Sequence, residues 1–67
     1  MDVSLLRARM HDNRVSVSEI ADHIGMDDST FYRKLQDNGE KFTVAQVREM
    51  AKKLRLSPEE TNEIFFS

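Results

Sequence analysis

The chain has 67 residues, with ten Lys and Arg against twelve Asp and Glu, a formal net charge of −2 at pH 7 and a pI near 5.6. That length suits one domain over 1–67, burying only roughly 60% of the surface its unfolded chain exposes, and no cysteine is present to staple it or to bind zinc. The longest apolar run, Ile64-Phe65-Phe66, is too short for a membrane span or a signal-peptide core, so a cytoplasmic protein without a membrane partner is expected.

Gly25, Gly39 and Pro58 are the only helix breakers, so the punctuation has to come from caps. The first expected helix runs from about Val3 to Asp12, with Val3, Leu6 and Met10 on one face. The second runs from Val17 to Ile24. It opens on a capping box, Ser16 with Glu19, closed by the apolar pair Val15 and Ile20, and stops at Gly25. Asp27 opens the third, Asp28 to about Asp37, which buries Phe31 and Leu35 and ends before Asn38-Gly39. The fourth, Val44 to Arg55, starts on the box Thr43 with Gln46 and carries Val44, Val47, Ala51 and Leu54 as its apolar stripe. The fifth, Pro58 to Phe66, starts on the box Ser57 with Glu60, with proline at the first helical position. No stretch alternates with period two, so an all-α fold of five short helices is expected.

The informative unit is 17–36. Two short helices meet at Gly25, with Ala21 small enough for a close crossing and Ile20, Ile24, Met26 and Phe31 as apolar anchors. Those are the requirements of a helix-turn-helix, in which the first helix braces the second against DNA. The same core also suits a generic helical hairpin.

Val15-Ser16, Glu19-Ile20-Ala21, Ile24-Gly25-Met26, Ser29-Thr30-Phe31, Arg33-Lys34-Leu35 and Asn38-Gly39 together carry a further signal. Over roughly 3–66 this pattern resembles the Cro/CI-type helix-turn-helix regulators of phages and bacteria. The ending Glu63-Ile64-Phe65-Phe66 is similar to that of small regulators in phages of Gram-positive hosts. The resemblance implies a lambda-repressor-like DNA-binding domain with the helix-turn-helix formed by helices 2 and 3. It also implies a double-stranded operator as partner, a homodimer at least on DNA, and a place in the bacterial cytoplasm at the nucleoid.

Carried over position by position, it sets Asp28, Ser29, Tyr32 and Arg33 toward base edges. Arg33 suits a guanine edge, Ser29 a base or phosphate, Asp28 a cytosine amine, and Tyr32 a thymine methyl or a phosphate. Lys34, Asn38, Gly39 and Lys41 become phosphate candidates, with the amides of Val17 and Ser18 at the start of helix 2. Val17 stands where the family often has Gln, and Asp28 where it often has Arg, Lys or Gln. Asp28 also suits a role as helix-dipole partner in the first turn.

Three bulky residues in a row cannot share one helix face, so Ile64, Phe65 and Phe66 are the dimer-contact candidates, against a terminal helix laid wholly over the core. Arg48, Lys52 and Arg55 form either a basic stripe or a solvated face. His11 and His23 are twelve residues apart without a close third ligand, so no metal, no cofactor and no enzyme activity are expected; no nucleophile or phosphate-loop motif appears either. The charge also divides along the chain. Residues 1–28 hold three bases and six acids, 29–55 seven bases and three acids, and 56–67 three acids alone. A transcriptional regulator, a repressor of the Cro sort, is the leading expectation. The alternative is an antirepressor or modulator that uses the same fold to bind a partner repressor protein.

Overall fold

The computed structural model describes residues 1–66 and contains five α-helices: α1 (Val3–Asp12), α2 (Val17–His23), α3 (Asp28–Gln36), α4 (Val44–Lys53) and α5 (Pro58–Phe65). No strand occurs among the described residues. The helices start where side chains satisfy the orphan amides of the first turn. The Ser16–Glu19, Thr43–Gln46 and Ser57–Glu60 boxes are all closed in both directions. Asp27 accepts from the Thr30 amide, opening α3. The α1 cap is Asp2, which accepts from the Leu5 amide at 2.9 Å.

Four of the helices also end alike. Arg14, Gly25, Asn38 and Arg55 each hold a left-handed backbone, at φ 55°, 75°, 60° and 54°. The amide one residue further on, of Val15, Met26, Gly39 or Leu56, reaches back to the carbonyl of Met10, Ala21, Lys34 or Ala51 at 2.7–3.0 Å. This is the Schellman termination. Val15, Met26 and Leu56 then pack against the core, giving the motif its usual apolar contact. At Gly25 a Cβ would meet nothing within 4 Å, so the dihedral angle alone calls for glycine there.

The core is Leu6, Met10, Ile20, Ala21, Phe31, Leu35, Val47, Met50, Leu54, Ile64 and Phe65. Central α2 packs on both α3 and α4, and α1 packs on α5. The Asp2 amide donates to the Ile64 carbonyl at 2.7 Å, and Arg9 Nε bonds Glu60 Oε2 at 3.1 Å, tying the N-terminal turn and α1 to α5. Phe31 meets Phe42 with ring centroids 5.4 Å apart and the planes tilted by 55°. The Cα radius of gyration, 10.5 Å, matches the roughly 11 Å of a compact chain of this length.

The fourth helix departs from its expected form. It ends at Lys53, with Leu54 as its cap and Arg55 already left-handed. Its stripe is also displaced: Val44 is 65% exposed while Met50 is fully buried. Val44, in the first turn, is not among the residues that form or pack on the core, and Met50 joins Val47 and Leu54 as the buried side of α4, the helix on which α2 packs. At the C-terminus α5 stops at Phe65, and Phe66 is its cap.

Candidate nucleic-acid interface

The corner between α2 and α3 occupies 24–27. Gly25 turns the chain, Met26 packs on the core, and the Asp27 side chain starts α3. Hydrogen bonds from the side chain and backbone of Thr30 hold the Asp27 carboxyl below the ordinary carboxylate range, helped by Ser29 and by the charge of Arg33. Phe31 and Leu35 anchor α3 from beneath. The helix therefore turns a polar face outward, and every base-contact candidate is exposed on it: Asp28, Ser29, Tyr32 and Arg33, with Tyr32 at 45%. Gln36 is exposed too, four residues after Tyr32 on that face. Gln36 was not among the candidates read from the sequence, although its i, i+4 spacing from Tyr32 is visible there. Its amide has the donor and acceptor pair that suits an adenine edge.

The face is not left loose. Ser18 Oγ donates to Asp28 Oδ2 at 2.5 Å, fastening the start of α2 to the start of α3. Asp28 and Ser18, assigned separately to a base and to a phosphate, are thus a bonded pair. Arg33 Nη2 donates to Thr30 Oγ1 at 3.3 Å. The Val17 amide, with that of Ser18, begins α2, where no intrahelical acceptor exists.

At the other end of α3, Lys34 sets Nζ over the Phe42 ring, 5.9 Å from its centroid, and donates to the Lys41 carbonyl at 3.2 Å. Lys41 Nζ lies 3.6 Å from Asp37 Oδ2. Arg33, Lys34 and Lys41 line a shallow concavity of about 470 Å³ with Thr30, Gln36 and Asp37. Asn38 is exposed beside it. Gly39 leaves the phosphate set: its amide is bonded to the Lys34 carbonyl at 2.7 Å, and the Met1 side chain packs where a Cβ would stand.

Charge thus divides along α3. Its C-terminal half carries Arg33 and Lys34, with Lys41 of the following segment beside them, whereas its start borders a concavity lined by Glu19, Asp22, Asp27 and Asp28. His23 of α2 makes its contact elsewhere, with Nε2 3.4 Å from Glu49 Oε1 of α4, and His11 is exposed. No group of three or more metal-ligating side chains occurs among the described residues, and no helix there is long and apolar enough to cross a membrane. Of the dimer candidates, Ile64 and Phe65 lie in the core, at 0% and 9% exposed, while Phe66 is 60% exposed. Comparison with family profiles, curated proteins and solved structures finds no match to this chain.

Proposed function

We propose that this chain is a sequence-specific, double-stranded DNA-binding regulator, a Cro-like repressor of phage or prophage type with a lambda-repressor-like fold. In this reading α2 and α3 form the helix-turn-helix, and α3 lies in the major groove. The observation that carries it is the α2–α3 corner: buried Ala21 and Phe31, left-handed Gly25, and a polar α3 face turned outward. Arg33 and Gln36 are the base readers, with Ser29 and Tyr32 beside them. Lys34, Lys41 and Asn38 hold the phosphate backbone, while Asp28, bonded to Ser18, braces the corner. The protein binds rather than catalyses, without cofactor or metal, in the bacterial cytoplasm. Two copies pair on DNA through Phe66, with recognition helices about 34 Å apart, one helical turn.

Selection of bound duplexes from random DNA, followed by gel retardation, tests the reading. It should return one recurring site, arranged as two half-sites about 10 base pairs apart. Absence of retardation at low salt would overturn it. One observation favours a second reading, a modulator that binds a partner repressor: the acidic surface of Glu19, Asp22, Asp27 and Asp28 at the start of α3, which suits a basic protein better than phosphate. Co-purification with a repressor, together with no DNA retardation, is its signature.

A further inference from the structure

A second surface lies between α4 and α5. It is a groove of about 620 Å³ with buried Val47 and half-buried Ala51 and Leu56 in its floor and exposed Arg48, Lys52 and Arg55 along its rim. Val44 and Phe66, at 65% and 60% exposed, also border it. No acidic side chain lines it, in a chain with twelve Asp and Glu. Lys52 is paired with Glu49 at 3.2 Å, whereas Arg48 and Arg55 have no ion pair among the described residues.

We propose that this groove docks an acidic amphipathic helix of a partner protein, with apolar residues on the floor and carboxylates against Arg48, Lys52 and Arg55. Charge complementarity selects that occupant. Arg48 and Lys52 stand at i and i+4 of α4, about 6 Å apart at the helical rise, with Arg55 just past the helix end, and carboxylates at i and i+4 of a docked helix repeat that spacing. A second copy covering the whole groove about a two-fold axis would set the rim cations against their own kind, so a pairing of copies at Phe66 leaves the Arg48 and Lys52 rim open. A DNA backbone would meet the cations but leave the apolar floor unfilled, and the groove, on α4 and α5, shares no lining residue with the concavity beside α3. The proposal does not rest on the DNA-binding reading.

The test is selection from a displayed library of amphipathic peptides about 16 residues long, with Glu, Lys and Gln equally represented at the polar positions. Recovered peptides should carry Glu at i and i+4 beside an apolar stripe. Their affinity should fall at least tenfold against the double variant Arg48→Glu, Lys52→Glu, which leaves Phe66 intact and whose fold is checked by circular dichroism. Failure to recover binders overturns the proposal, as do binders without Glu enrichment or binders indifferent to the double variant. Sedimentation of the intact protein supplies another refutation: a dimer that the double variant dissociates assigns the groove to a second copy. Loss of DNA retardation in the variant, without peptide enrichment, assigns the cations to phosphates and also overturns it. DNA binding through α3 stands or falls separately, because the Arg33 and Gln36 face is untouched by these changes.

Discussion

The outer face of α3 and the groove between α4 and α5 are built on opposite plans. On the first, polar side chains are tied to their neighbours: Ser18 to Asp28, Arg33 to Thr30, Lys34 to the Lys41 carbonyl, Lys41 to Asp37. On the second, an apolar floor is edged by arginines without an ion pair among the described residues. Ordered polar groups on a rigid helix can read hydrogen-bonding patterns, since little side-chain freedom is lost on binding. An apolar trough with unneutralised cations gains instead from covering surface and matching charge. The net charge of −2 conceals both, because neither surface is visible in the sum.

The harshest way to break the comparison is to remove the support common to the whole fold. Phe31→Ala should cost about 3–5 kcal/mol, enough to unfold most of a domain this small; thermal denaturation by circular dichroism reads it. Loss of both binding functions should follow the lost fold. Arg33→Ala separates the two surfaces. It should weaken DNA binding by about 1–3 kcal/mol and relax base preference at one position, while the melting temperature and peptide binding stay unchanged. A uniform loss over all DNA sequences would make Arg33 a phosphate contact.

Arg55→Gly sharpens the contrast from the groove side. Glycine relieves a left-handed arginine, so stability should rise by about 1 kcal/mol, or about 4–8 °C in melting temperature for a domain of this size. Peptide binding in the groove should weaken at the same time, and Arg14→Gly should raise stability alone. A fall in melting temperature for both variants would contradict the strain argument.

The smallest effect is acid sensitivity. Asp27 is held below its ordinary value chiefly by Thr30, Glu60 by Ser57 and then Arg9, and Glu49 by Lys52 and then His23. A carboxyl depressed in the folded state adds stability that is fully present above its unfolded pKa and disappears as pH falls through the folded one. Melting temperature should therefore drop as pH falls below about 4 to 4.5. Asp27→Asn keeps an N-cap oxygen but removes the charge, so it should flatten part of that drop; an unchanged profile would remove Asp27 from the account.

Helix starts were legible in the sequence because a capping box needs two particular residues three apart, as in Ser16 with Glu19 or Ser57 with Glu60. Helix ends were less so. Gly25 and Asn38 announce a left-handed residue, but Arg14 and Arg55 do not, so the apolar pattern carries α4 two residues past its end at Lys53. The Asp2 cap was missed because its third residue onward is Leu5, which forms no box. Contacts between segments had no local signal at all. Ser18 with Asp28, and Met1 over Gly39, follow only from how the helices and the N-terminal turn come together. Those two contacts revised the site most: one made Asp28 a brace, the other removed Gly39.

The central claim is that the α3 face reads DNA held by phosphate contacts at Lys34, Lys41 and Asn38. Affinity for a selected duplex measured across salt concentrations tests it most directly. The logarithm of affinity should fall linearly with the logarithm of salt, by about 0.9 for each phosphate neutralised, and Lys41→Ala should reduce that slope by about 1. An affinity independent of salt, or a slope untouched by Lys41→Ala and Lys34→Ala together, would contradict the account.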